Sequence, residues 1–493
     1  MARKGPAISV RNGSAKQAGR RPRLFALTCL LAMLQLHCER LQEDGPAFED
    51  EDASDVKDVR DTFVSDIPKV IDSFKADAKP KKDLVVSELP VATPESCGNA
   101  LDDDGDGLVD ESACQPAPNL RPDQSWTDLG SIAVTDAPGP APTVGFGVSV
   151  KNQGTVLIAR DLSPVRQYVW AETLTSPAGV QVLTPGAWAT SLNRGFVGLG
   201  QATAQIGMSP KVNVLAGPWT MGFTRAGVQP AEYKNTPVSG TLHLGVLSRP
   251  EIPGVQAAAM DLDVWCAGGA PMPCAELQGS WQWQKLQDRV ESVWKSAGLR
   301  LGKVVFRDLD GAEGEKFRFL DNVLSGASDN ELTGVMVAIG KRDPKSTAAT
   351  LVLTSALYDK GQPVAAGLSQ LAGVPGLVGS RLSCMAVAID EEEWQVAQTL
   401  GPNNPVIGER WGVTIAHEIG HFLGLWHTDE FSGSLHDPID DTPLCDKDAD
   451  VLTAEVCPIQ SKYLMFWSPK GTTVTAGQVK VLRLSPALRQ ADL

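Results

Sequence analysis

WGVTIAHEIGHFLGLWHT, residues 411–428, decides how the C-terminal part of this 493-residue chain is read. His417 and His421 stand four apart, so on a helix both imidazoles leave one face and can grip a single metal ion. Glu418 lies beside the first of them, within reach of a metal-bound water as general base. Gly424 follows three residues after His421, where a helix should end and the chain turn through a conformation that glycine tolerates. That turn brings His427 back towards the pair. Three neutral nitrogen ligands leave a fourth position open, the pattern of a catalytic rather than a structural zinc. The chain holds six His and 47 Gly. A chance match to the whole HExxHxxGxxH pattern is therefore on the order of 10⁻⁵.

This extended pattern resembles the signature of the metzincin metallopeptidases. Members of that clan carry a methionine in a tight turn beneath the zinc, and KYLMFWSPKGTTVTAGQVKVLR (462–483) supplies Met465 in a fitting place. Within the clan the detail is most similar to the pappalysin/cytophagalysin family. Thr428 directly follows the third histidine, DDTP (440–443) lies between the two motifs, and TAGQ (475–478) follows the methionine. Tyr463 and Leu464 depart from the Asn-Tyr pair common there. The resemblance covers roughly residues 400–485. It implies an endopeptidase in which His417, His421 and His427 bind zinc, Glu418 polarises the attacking water, and Met465 forms an apolar floor.

Outward from the motif, residues 253–493 read as one α+β (α/β-like) unit. AMDLDVWC (259–266), KVVFRDL (303–309), GVMVAIG (334–340), TLVLTSA (350–356) and CMAVAID (384–390) are strand candidates. A helix is expected from about Ala275 to Ser296, with Trp283, Leu286, Val290 and Val293 on one face. IPGVQ (252–256) reads as a linker. Residues 119–250 carry short apolar runs punctuated by Gly, Pro, Asn and Ser: VGFGVSV (144–150), TVLIA (155–159), YVWAETL (168–174), KVNVLAG (211–217), WTMGF (219–223) and TLHLGVL (241–247). Such spacing predicts an all-β sandwich, fit to position substrate, bind a surface or cover the active cleft. The expected architecture is thus multidomain, with the sandwich preceding the catalytic domain.

The N-terminal region reads as an export signal, residues 1–38. Arg20, Arg21 and Arg23 precede an apolar run from Leu24 to Leu36, too short to span a bilayer comfortably. Cys38 could carry a lipid anchor, the only membrane attachment foreseen, as in an outer-membrane lipoprotein of a bacterium. Residues 39–96 read as an acidic, disordered linker. From Glu39 to Asp66 there are eleven Asp or Glu against three Lys or Arg, so much of the formal charge of −15 is local. No basic stripe suggests nucleic acid as a partner. The expected location is secreted or cell-surface, and the expected partners are protein or peptide substrates.

CGNALDDDGDGLVDESAC (97–114) places Asp102, Asp104, Asp106 and Asp110 about Gly107. Alternate carboxylates, with the carbonyl of Leu108, can converge on one hard cation, so calcium is a second expected cofactor. The stretch resembles the calcium loops of thrombospondin type 3 repeats, although Ala113 stands where an EF-hand has its twelfth-position Glu. The cysteines suggest local disulfides Cys97–Cys114, Cys266–Cys274 and Cys445–Cys457, with Cys384 left over as a buried thiol. His436 reads as a loop residue. Asp437, Asp440 and Asp441 read equally as a calcium site, a preference for basic substrate side chains, or a capped loop. The rival to the peptidase reading is a calcium-dependent surface-binding protein or adhesin with an inactive or latent protease domain.

Overall fold

A computed structural model describes residues 117–491 apart from 136–140, 163–166, 185–190, 196–197, 227–237, 255, 325–329, 434 and 446–450. The export signal with Cys38, the acidic linker, and the Cys97–Cys114 calcium loop with Asp102, Asp104, Asp106, Leu108 and Asp110 lie outside the described residues.

Residues 125–249 form two packed antiparallel sheets. One has the order β1 (Ser125–Val134), β9 (Gly240–Arg249), β3 (Gly154–Asp161), β7 (Gln201–Gln205). The other has the order β2 (Thr143–Val148), β8 (Gly217–Ala226), β4 (Tyr168–Thr175), β5 (Gln181–Leu183), with β6 (Gly198–Leu199) also on β4. Leu157, Ala159, Val169, Ala171, Trp219, Met221, Phe223, Leu242 and Leu244 fill the space between them. One expected strand is absent: residues 209–216 are turn and irregular. Val212 and Val214 still enter the core, but as loop residues. Prolines at 210 and 218 and Gly217 at φ +126° explain why that run adds no ladder.

The β3 run is apolar on both sides of its pleat, and every residue in it is buried. Leu157 and Ala159 face the sandwich interior, whereas Val156 and Ile158 pack on Ala372, Val374, Leu377 and Leu382 of the following region. A strand covered on both faces loses the polar alternation of a solvated sheet.

The following region is mixed α/β. Its main sheet runs β11 (Leu299–Leu309), β10 (Ala258–Ala267), β13 (Ala349–Thr354), β17 (Cys384–Ala388) in parallel, closed by the antiparallel edge strand β16 (Gly367–Ser369). Short β18 (Leu488–Gln490) pairs with the start of β10. A small second sheet joins β12 (Phe319–Leu320), β14 (Ala356–Asp359) and β15 (Gln362–Ala365). The helices are α1 (Cys274–Leu277), α2 (Trp281–Trp294), α3 (Gly311–Lys316), α4 (Glu331–Arg342), α5 (Glu391–Leu400), α6 (Val413–Phe422) and α7 (Ala476–Leu482). Met260, Leu262 and Val264 of β10 face a core shared with α2 and α6, and Trp265 and Ala267 face α4 on the other side. No helix of the described residues is long and apolar enough to cross a membrane.

Two expectations need correction here. GVMVAIG (334–340) is helical, within α4. Asn330 accepts a 3.0 Å bond from Thr333 N, and Leu332, Val335, Met336 and Ile339 are buried at the 3–4 spacing of a helix face. Its valines favour strands in isolation, but the cap and the period outweigh them. The helix expected over 275–296 is interrupted by Gly279 at φ +77°, and Ser280 caps α2 by accepting from Trp283 N. Trp283, Leu286, Val290 and Val293 are its buried face.

Ile252, Pro253 and Gln256 of the expected linker are braced by one side chain. Arg483 donates to the carbonyls of Pro253 and Gln256 at 2.6 Å each. Arg121 donates to Ala487 O, Pro486 O and Leu488 O at 3.0, 3.0 and 2.8 Å, and Arg249 Nε to Ser485 O at 3.0 Å. Leu484 packs against the sandwich core. The two regions therefore share an apolar and a hydrogen-bonded boundary.

Candidate metal centre

Apart from Thr414, whose hydroxyl donates to Arg410 O, α6 is apolar except where it carries His417, Glu418 and His421. Val413, Ile415, Ala416, Ile419 and Phe422 bury it in the core shared with α2. The rings of His417 and His421 leave one face, with centroids 4.7 Å apart. Past Phe422 the chain turns: Gly424 N donates to His421 O at 2.8 Å and Leu425 N to Gly420 O at 2.9 Å. Gly424 takes φ +102°, a conformation open to glycine. His427 is thereby returned, its Nε2 3.2 Å from His417 Nε2 and 3.0 Å from His421 Nε2.

The remaining ring nitrogens are all engaged. His417 Nδ1 lies 2.7 Å from Leu464 O, His421 Nδ1 2.7 Å from Leu425 O, and His427 Nδ1 2.9 Å from Glu430 Oε2. A carbonyl or carboxylate can only accept, so each Nδ1 carries the proton and each Nε2 presents a lone pair. Three lone pairs at this separation repel one another and fit a cation between them. Nitrogens bound tetrahedrally to one zinc at ~2.0–2.1 Å would stand about 3.3 Å apart, close to what these rings adopt. Burial, with the neighbouring His427, pulls His417 down to about 3, and burial and both other imidazoles pull His421 well below its ordinary value. Neutral rings are the ligating form.

Glu418 is 4% exposed, and burial pushes its carboxyl up to about 8. A β-carbon at Gly367 on edge strand β16 would collide with that carboxyl, so the strand can approach only because residue 367 is glycine. Met465 is fully buried, and a β-carbon at Gly420 would overlap its sulfur. Its turn serves both ends of the motif. Leu464 O holds His417, and Met465 O accepts from Thr428 N at 2.7 Å, just past His427.

The loop after His427 folds back as a short hairpin. Glu430 N donates to Leu435 O at 3.0 Å and Asp437 N to Thr428 O at 3.3 Å. His436 is a loop residue in it, with Nδ1 3.1 Å from Asp429 Oδ1. Asp437 accepts from Thr442 Oγ1 at 2.6 Å and Ile439 N at 3.0 Å, and burial pushes it up to about 7. Asp440 pairs with Lys211 at 2.6 Å on the surface. Asp441 accepts from Gly477 N at 2.7 Å, in the first turn of α7. These three carboxylates therefore act as loop and helix-end contacts in this structure. Cys445 and Cys457 are bridged, as are Cys266 and Cys274. Cys384 is a free, buried thiol that burial pushes up to about 12.

Several members of the site leave little or no mark in the sequence. Glu430 is one, signalled only by a carboxylate three residues after the third histidine. The carbonyls of Leu425 and Leu464 have no side-chain signature. Arg194 and Gln205 come from the sandwich, with more than 200 positions between them and the motif they touch.

No protein-family model matches the chain, and no curated protein matches it. Among solved structures it is similar to metalloproteinase-II from Bacteroides fragilis, at 13% identity and a TM-score of 0.26. The match covers 49% of this chain and 62% of that one, so this chain spans less than two thirds of that protein's length. A likeness of that size carries no argument about chemistry.

Proposed function

We propose that the chain is a zinc-dependent endopeptidase that hydrolyses peptide bonds of protein or peptide substrates. The observation that carries this reading is the meeting of three Nε2 atoms, 3.0 and 3.2 Å from His427 Nε2, with every Nδ1 held by an acceptor. Buried Glu418 stands on the same helix. The motif with Gly424 and Met465 supports placing the chain among the metzincins, in the pappalysin/cytophagalysin family.

His417, His421 and His427 would hold the ion, which when bound supplies Lewis-acid polarisation of the scissile carbonyl and acidifies water. Glu418 then takes the proton from the attacking water and delivers it to the leaving amine. Its apolar surroundings suit that task, because a carboxylate of raised proton affinity is a stronger base near neutrality. Leu464, Leu425 and Glu430 keep the imidazoles oriented, and Met465 closes the underside without offering a polar group. Edge strand β16, close against Glu418, lines the same side of the site. Export, anchoring through Cys38 and a structural calcium at residues 97–114 complete the proposal and rest on the sequence.

The test is cleavage of casein by the full chain, with and without a zinc chelator, beside Glu418→Gln. Chelator-sensitive cleavage, lowered by ~10²–10⁴-fold in Glu418→Gln while zinc stays bound, is the expected result. Undiminished cleavage by Glu418→Gln would overturn the mechanism. Absence of cleavage with one zinc bound would favour the latent-domain alternative.

A further inference from the structure

The ligand-bearing turn is built against the sandwich. Gln205 of β7 lies against Gly424, its side-chain atoms 2.9–3.0 Å from where a β-carbon would stand, and its Nε2 donates to Val481 O at 3.0 Å. Met208 packs with Leu371 and Trp426, the residue before His427. Arg194 is 4% exposed; its guanidinium stacks 5.6 Å from the Trp426 ring and Nη2 donates to His436 O at 2.9 Å. It thus grips both the turn before His427 and the returning strand of the 428–437 hairpin. Glu430 and, where ionised, Asp437 on that hairpin supply negative charge facing it, which partly offsets the cost of burial, and it stays cationic near neutrality.

Arg194 is itself held firmly. Asn193, fully buried, accepts from Gly207 N at 3.0 Å and Met208 N at 3.1 Å and donates to Gln205 O at 2.9 Å. A β-carbon at Gly195 would stand 2.9 Å from Thr203 O, so the backbone beside Arg194 is pressed onto β7. Such a support differs from a generic domain contact, because its charged end is directed at the hairpin that carries Glu430, the partner of His427.

We propose that Arg194 of the β-sandwich is a positioning residue of the metal centre, holding the Glu430–His427 pair where His427 meets His417 and His421. This rests on reading those histidines as zinc ligands. The sandwich is then a working half of the peptidase rather than a detachable recognition module.

The test uses the full chain and reads metal, not activity. Zinc affinity is measured by competition with a chromophoric chelator, and the ligand field by the visible bands of bound Co²⁺. Wild type and Lys211→Met should bind one ion alike, since Lys211 also bridges to the loop but only through exposed Asp440. Arg194→Met keeps an apolar stem and should bind zinc ~10-fold or more weaker, with altered cobalt bands, as loss of an outer support does. Wild-type affinity and spectrum in folded Arg194→Met would overturn the proposal. So would lowered metal-free stability with the cobalt bands unchanged, the mark of a merely structural role. If Arg194→Met does not fold, the decision passes to Arg194→Lys. A point charge cannot both stack on Trp426 and reach His436 O, so ~3-fold weaker binding is expected and unchanged binding refutes. A wild-type chain that takes up no metal would sink the zinc reading itself, a different failure.

Discussion

Replacing Gly424 with Ala tests whether the turn, and not the helix alone, builds the metal centre. Two separable costs follow from the structure. Gly424 sits at φ +102°, where an L-residue is strained by about 1–3 kcal/mol. The new β-carbon would also meet the Gln205 side chain at 2.9–3.0 Å. Carbon contacts are comfortable only at ~3.5–4.0 Å. Gln205 is fully buried and tied to Val481 O, so it cannot swing aside freely. Overpacking of this kind adds about 1–3 kcal/mol. The total, about 2–6 kcal/mol, should divide between two readouts. If the turn keeps its shape, urea unfolding of the metal-free protein loses that amount. If the turn yields, His427 leaves the other two rings, and zinc affinity falls about tenfold for each 1.4 kcal/mol relieved. The sum of both losses is the quantity predicted. Adding Gln205→Ala should recover about 1–3 kcal/mol of it, a non-additivity expected of touching residues. A combined loss under about 0.5 kcal/mol, the usual range for a harmless substitution, would show that the turn does not depend on glycine at position 424.

Glu430→Gln keeps an acceptor for His427 Nδ1 but removes its charge, and zinc affinity should fall ~10-fold or more in a chelator competition. The metal-free chain should be most stable between about pH 4.5 and 6.5, as two opposed limbs imply. At His417 and His421 the unfolded chain binds more protons below 6.5, because burial holds folded His417 near 3 and His421 well below its ordinary value, so these two groups make stability fall with falling pH. At Glu418 and Asp437 the folded chain binds more above 4.5, because burial holds Glu418 near 8 and Asp437 near 7, so once the histidine limb ends stability falls as pH rises towards 8. Glu418→Gln should flatten that alkaline limb in urea titrations of chelated protein, and an unchanged limb would assign it to other groups. Replacing Cys445 and Cys457 together by Ser opens a bridge of sequence separation 12 and should cost about 3 kcal/mol, read from urea midpoints.

Much of this protein was legible wherever the information is local. The helix carrying His417, Glu418 and His421 follows from period and spacing, and half of the strands of the described residues, nine of eighteen, follow from short apolar runs between turn residues, whereas β1, β7 and edge strand β16 are among those not foreseen. The misreadings have local causes too. GVMVAIG is rich in β-branched residues, and only the Asn330 cap and the burial of Leu332, Val335, Met336 and Ile339 make it α4. KVNVLAG has strand composition but lies between prolines, and Val212 and Val214 are buried without a ladder.

The residues of 411–428 alone determined which side chains can meet a metal, because an i, i+4 pair and a glycine turn need nothing beyond backbone geometry. Whether they meet in a competent state was decided by tertiary structure. The protons on His421 and His427 Nδ1 are set close by, by Leu425 and Glu430, but that on His417 Nδ1 is set by Leu464 and the room beside Glu418 by Gly367. The seat of the returning turn is set by Gln205 and Arg194. Orientation and proton affinity depend on what lies across the space around a group, and chain positions 40 to 240 residues away leave no mark on a local pattern.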